Sequence, residues 1–285
     1  MGEPSTQVTR SRRSHSAEGV ALLRAIGNRE RDPQLRNPDH LAVRFLTPAM
    51  RLRVALTPLR TLTLRVVQGM LPGAYPFITA RTKHLDEILA AEVHAGVRRV
   101  AIVGAGADSR AYRFAESMPG VTVFEVDHPL TSQWKRHQVT RLFGGPPEHV
   151  RYLPIDLGRD RLDDTLGAIG TTEPVLFLWE GVTPYLSMEA IDATLAAIGR
   201  CAEGSSVAFD YYFPDPSAEV PRFQRYLRRH GEPVVSRMEP ERVAPALAAH
   251  GLTLASDVHA PELSARHLAG RADVVPYCAI AHARR

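Results

Sequence analysis

The stretch Arg99-Val100-Ala101-Ile102-Val103-Gly104-Ala105-Gly106-Ala107-Asp108-Ser109-Arg110, followed by Phe124-Glu125-Val126-Asp127, decides the fold of this chain. An apolar run ends in two glycines one residue apart. A second apolar run ends in an acid, 21 residues beyond Gly106. This is the layout of a nucleoside-binding crevice at the carboxyl edge of a parallel sheet. The glycines let backbone approach a ligand closely, and the acid can accept hydrogen bonds from both ribose hydroxyls.

Outward from this stretch, strand and helix patterns alternate. Buried strands are predicted at residues 97–103, 121–126, 150–155, 175–179 and 206–212. Leu85, Ile88, Leu89 and Val93 mark an amphipathic helix closed by Gly96, and residues 188–198 a helix with Ser187 as its N-cap. Such alternation predicts a parallel sheet covered by helices on both faces, a Rossmann-like α/β fold. Two later apolar runs, 252–258 and 274–282, predict a closing pair of strands, one of them antiparallel. Residues 242–250 read as a helix, although Pro245 sits inside it.

The whole chain, 1–285, reads as a single domain, with no internal repeat and no long linker. Residues 1–16 are polar and rich in Ser and Arg, which predicts a disordered tail. Residues 17–80 read as a helical cap: Val20, Leu23 and Ile26 form a stripe ended by Gly27. Pro33, Pro38, Pro48, Pro58, Pro72 and Pro76 then argue for short helices. Residues 81–285 form the predicted cofactor-binding core, with a charged insert at about 213–238 as a lid.

A length of 285 residues, 44% hydrophobic and 23% charged, suits one large α/β domain. The net charge of +4 is modest and gathers near the ends, at Arg10, Arg12, Arg13, Arg284 and Arg285, which argues against nucleic-acid binding. Cys201 and Cys278 are the only cysteines, as expected in a reducing compartment. The 12 histidines are dispersed with no metal-binding spacing, so no metal is predicted. No apolar run reaches the roughly 18 residues of a membrane span, and no signal peptide opens the chain. The expectation is a cytoplasmic protein.

Four successive strand ends are polar: Gly104-Ala105-Gly106, Glu125-Val126-Asp127, Asp156-Leu157 and Glu180-Gly181. An acid after a strand can simply cap the next helix. Four in a row behind a glycine turn point instead to a ligand. The turn runs Gly104-x-Gly106-x-x-Ser109, without the third glycine of a dinucleotide site, and crowded carboxylates repel a pyrophosphate. A ligand with ribose, an amino group and a cationic centre suits acids, and S-adenosylmethionine has all three. Two alternatives stand beside this: a nicotinamide-dependent oxidoreductase, and a nucleoside-cofactor-binding protein without catalytic activity.

Further motifs carry a resemblance. They are Arg81-Thr82 with Asp86, the run from Val103 to Arg113, Glu125-Val126-Asp127-His128-Pro129 with Lys135, Pro154-Ile155-Asp156-Leu157, and Trp179-Glu180-Gly181-x-x-x-Tyr185-Leu186. Together they resemble the leucine carboxyl methyltransferase-like family of bacterial S-adenosylmethionine-dependent O-methyltransferases, over most of residues 17–282. The resemblance implies a class I methyltransferase fold and methyl transfer to a small-molecule carboxylate or hydroxyl, as in specialised metabolism. It implies that Arg81 pairs with the cofactor's α-carboxylate and that Gly104 and Gly106 pass close to its methionine portion. Asp127 would take the ribose, Asp156 and Leu157 the adenine, and Glu180 the ammonium group. Ala107, Ser109 and the polar Val182-Thr183-Pro184 depart from the family pattern. A carboxylate acceptor needs no base, whereas a hydroxyl acceptor calls for one, with His128, Tyr185, Tyr211 and Tyr212 as candidates.

Overall fold

The structure is a computed structural model that describes residues 15–214 and 221–285. Most of the predicted tail, and residues 215–220 of the predicted lid, lie outside the described residues. His15 and Ser16 already belong to the first helix, α1 (His15–Gly27).

Seven strands form one sheet in the order β3-β2-β1-β4-β5-β7-β6. The strands are β1 (Arg99–Val103), β2 (Thr122–Asp127), β3 (Val150–Pro154), β4 (Val175–Trp179), β5 (Ser206–Tyr212), β6 (Thr253–His259) and β7 (Cys278–Arg284). The first five run parallel, with β1 between β2 and β4. β7 pairs antiparallel with both β5 and β6, so the last strand of the chain lies inside the sheet. Sequential order reverses at β1: β2 lies to one side and β4 to the other. In an open α/β sheet the ligand crevice forms at that switch point, beyond the carboxyl ends.

Alternate side chains of each strand point to opposite faces, which gives two cores. Val100, Ile102, Leu176, Leu178 and Ile280 pack on one face. Ala101, Val103, Phe177, Trp179, Val207 and Phe209 pack on the other. All five residues of β4 are fully buried, as expected of a central parallel strand.

The predicted cap contains α1, α2 (Pro48–Ala55) and α3 (Thr57–Met70), followed by α4 (Ala74–His94). Several prolines of this region open helices instead of breaking them. Pro48 and Pro58 occupy first-turn positions, where a missing N–H costs nothing. α4 begins three turns before its apolar stripe and passes straight through the 80/81 division between cap and core. Gly73 starts it in a left-handed conformation (φ +80°), and a Cβ there would sit 2.7 Å from the Val274–Val275 peptide. That contact also explains why the run at 274–282 is longer than its strand: Val274 and Val275 are buried before β7 begins.

α5 (Arg110–Arg113), α6 (Pro129–Phe143), α7 (Asp163–Ile169) and α8 (Met188–Ile198) follow successive strands. α9 (Pro221–Arg229), α10 (Pro240–Ala248) and α11 (Ala260–Leu268) complete the set. Ser187 caps α8 by accepting from Ala190 N–H at 3.2 Å. Pro245 lies inside α10 on its exposed face, where water can satisfy the carbonyl the proline leaves unpaired. Among the described residues, no helix is long and apolar enough to cross a membrane.

Candidate active site

Beyond the carboxyl ends of β1, β2, β3 and β4 opens a cleft of about 1190 Å³. Arg81, Gly104, Gly106, Asp127, Asp156, Leu157 and Glu180 all line it. The sheet brings these residues together because each follows a parallel strand, except Arg81, which α4 delivers from above.

The glycine loop is held from three sides. Gly104 N–H and Ala105 N–H both donate to the Val126 carbonyl, at 2.7 and 3.2 Å. Gly106 N–H donates to Asp127 Oδ2 at 2.5 Å, and His128 N–H donates to Oδ1 at 2.6 Å. Lys135 Nζ donates to the Ala105 carbonyl at 3.2 Å and pairs with Glu125 at 2.8 Å. Burial pushes the Glu125 carboxyl up to about 7 even beside that ammonium. From the cap, Arg24 donates to the Ala107 carbonyl at 3.1 Å, and Asp39 accepts from Ser109 Oγ at 2.5 Å. Gly104 has φ +72°, and a Cβ on it would approach Val182 Cγ2 to 2.2 Å, so only glycine fits between the loop and the 180–183 turn.

Behind the loop lies a buried charge network. Arg110 pairs with Asp86 at 2.8 Å, with Glu180 at 2.6 Å and with Asp108. Arg81 pairs with Asp210 at 2.5 Å and Glu180 at 3.1 Å. Burial opposes charge on Glu180, yet Arg110 and Arg81 hold its carboxyl well below the usual carboxylate range. Burial likewise opposes charge on Arg81, and Asp210 and Glu180 more than restore it. Arg81 is therefore embedded among acids of the protein itself. Sequence reasoning missed Asp210, although a signal was present: an acid within an apolar strand needs a buried cation. Asp210 Oδ1 also accepts from Gly181 N–H at 2.5 Å, so it sets the turn that carries Glu180.

The four candidate bases separate. Tyr211 turns to the far face, where its hydroxyl donates to Asp257 at 2.8 Å, and it does not line the cleft. His128, Tyr185 and Tyr212 do line it. Burial pushes the Tyr185 phenol up to about 12, with Glu232 adding to the effect, and burial raises Tyr212 further. His128 Nδ1 accepts from Leu130 N–H at 3.2 Å and so caps α6, while Nε2 lies 3.8 Å from Asp156.

Away from the cleft, α4 and α11 bring His84, Glu87 and His267 together, with ligand atoms within 4.8 Å of one another. His84 Nδ1 and His267 Nε2 are 3.0 Å apart, and His267 Nδ1 lies 3.5 Å from Glu87. A search for local spacing misses this group because His267 is 183 residues from His84.

The model of the family described as leucine carboxyl methyltransferase matches residues 17–199. A Mycolicibacterium paratuberculosis protein named "putative S-adenosyl-L-methionine-dependent methyltransferase" is 35% identical over 181 residues, covering 60% of this chain and 57% of its own length. A Mycobacterium bovis protein of the same name is 32% identical over 253 residues, covering 83% of this chain and 78% of its own. The chain thus spans about half the length of the first curated relatives it matches. Among solved structures, a DUF574 family protein from Streptomyces avermitilis superposes with a TM-score of 0.64 at 18% identity, covering 96% of this chain and 98% of that one. A Thermobifida fusca protein titled "putative methyltransferase" gives 0.62 at 14% identity, covering 100% and 99%. At these identities the likeness extends to the fold.

Proposed function

We propose, from the premise that this chain belongs to the leucine carboxyl methyltransferase family, that it is an S-adenosylmethionine-dependent methyltransferase acting on an oxygen of a small-molecule acceptor. The observation that carries this reading is the convergence of Asp127, Asp156, Glu180, Arg81 and the glycine loop on one cleft at the switch point of the sheet.

The donor set suits the cofactor. Asp127 accepts a backbone N–H at each carboxylate oxygen, which fixes its orientation at the carboxyl end of β2, and it would take the ribose hydroxyls. Asp156 and Leu157 would receive the adenine. Arg81 would meet the α-carboxylate and Glu180 the ammonium group, each charge already balanced within the buried network. When bound, the cofactor supplies a methyl group activated on a sulfonium. A nicotinamide dinucleotide suits the loop less well. Phosphate-binding loops aim backbone N–H groups at the ligand, whereas here those of Gly104, Ala105 and Gly106 are consumed by Val126 and Asp127.

The acceptor side favours a carboxylate. Tyr185 and Tyr212 remain protonated at neutral pH and can donate hydrogen bonds without taking a proton. The Nδ1 lone pair of His128 is spent on capping α6. An acceptor that arrives ionised needs only to be positioned, and positioning supplies much of the rate in such a displacement.

Calorimetric titration of the full chain with S-adenosylhomocysteine tests the reading directly. Binding is expected, and Asp127→Ala should weaken it by about 1.5–3 kcal/mol, the range for hydrogen bonds to a charged group. No binding to the wild-type protein would dispose of the proposal, and undiminished affinity in the variant would remove Asp127 from its role.

A further inference from the structure

The cleft is larger than one cofactor requires. Pockets for a single ligand run to roughly 300–1000 Å³, against about 1190 Å³ here. The additional space is bounded by α3, and α3 is unusual: none of its residues is buried. Yet Leu59, Leu62, Thr63, Val66, Val67 and Met70 recur at the three- and four-residue spacing of an amphipathic stripe. All six line the cleft. Arg60, Thr61, Arg65 and Gln68 occupy the other side of the helix.

Such a stripe ordinarily packs against a core. Here Val67 packs against the core, as does Leu64 beside the stripe, while Leu59, Leu62, Val66 and Met70 line a cavity. Leu62 is 56% exposed and Val66 51%, and both look into the cleft. Tyr226 of α9 and Val235 beyond it are also exposed and also line the cleft. Large apolar side chains from two separate elements are thus left bare in one cavity, which the glycine loop and Asp127 also line.

We infer that the methyl acceptor is an amphipathic carboxylic acid with a bulky or extended apolar body. This rests on the methyltransferase reading above. The apolar body lies against the α3 stripe, and the carboxylate end reaches the strand ends. The continuity of the cavity with the cofactor end, the apolar side chains that α3 and the α9 region both contribute to its lining, and the polar outer residues of α3 favour a ligand within the cleft over a second copy of the chain or a lipid surface.

The test uses the full chain saturated with S-adenosylhomocysteine and titrated with dodecanoate and with butanoate. Dodecanoate should bind at least about 100-fold more tightly, since each buried methylene adds to affinity. Leu62→Asp and Val66→Asp are half-exposed substitutions that the fold should tolerate. Each should weaken dodecanoate at least about tenfold while leaving S-adenosylhomocysteine affinity unchanged. If S-adenosylhomocysteine fails to bind the wild-type protein, the methyltransferase reading falls first. If it binds but the two acids bind alike, or both variants hold dodecanoate as the wild type does, the inference is overturned. It is equally overturned if the variants abolish a dimer seen by sedimentation, or flotation with phosphatidylglycerol vesicles, while dodecanoate binding stays as it was. The chain-length comparison on the wild-type protein decides the matter even if a variant misfolds.

Discussion

Asp210 carries more of the site than its position in the middle of an apolar strand suggests. It is fully buried, neutralises Arg81 and fixes the amide of Gly181. Without it Arg81 would have to rely on Glu180, which Arg110 also engages. Removing one partner of a buried pair typically costs about 3–5 kcal/mol, because the remaining charge stays desolvated. Asp210→Ala should therefore lower the unfolding free energy by about that amount in urea titration. A loss below about 1 kcal/mol would mean that Glu180 suffices for both arginines. Apart from Arg81, which the family resemblance supplied, the residues that sequence reasoning did find share a trait: each follows an apolar run, where a glycine or a polar side chain is conspicuous. Asp210 escapes such a reading because Arg81 lies 129 residues away, and Arg110 because Glu180, which links it to the cleft, lies 70 residues away; neither distance leaves a local pattern.

At the scale of elements, the seam between α4 and α11 is acid-sensitive. Burial lowers both His84 and His267 to about 4, and Arg266 beside His84 and Lys83 beside His267 add to the effect. Glu262 pulls the other way at His84, where His282 adds to the lowering, and His84 itself adds to it at His267; Glu87 lies 3.5 Å from His267 Nδ1. Both rings are thus neutral in the fold and take up protons more readily when unfolded. Their contribution is fully present above the unfolded value near 6.5 and is lost as the pH falls towards about 4. The thermal midpoint should drop by several degrees between about pH 7.5 and pH 5, and His84→Gln with His267→Gln should flatten that slope. An unchanged slope in the double variant would reject the assignment. Elements differ in how plainly the chain announces them. β4, β5 and α8 begin and end where their apolar runs and the Ser187 cap place them, because nothing distant competes. α4 was read short because its first turns face the cleft and the cap, where Arg81 and Thr82 interrupt the apolar stripe. α3 does not stand out from its proline-marked surroundings because most of its stripe lines a cavity and only part of the helix packs on the core.

For the whole molecule, α4 matters most to cooperativity. One continuous helix belongs to both the cap and the sheet, and Arg24 and Asp39 tie α1 and its following loop to the glycine loop. Cap and core should therefore unfold together. Calorimetry of the full chain should give a single transition whose calorimetric and van't Hoff enthalpies agree; two resolved transitions would show that the cap melts independently. The placement of β7 has a consequence for biosynthesis. Residues 278–284 supply the strand that joins β5 to β6, so until they leave the ribosome the nascent sheet carries an open rim at β5 and β6 has nothing to pair with. An unpaired rim is an invitation to edge-to-edge association, which makes the interval before those seven residues emerge the period when a newly made chain most needs a chaperone.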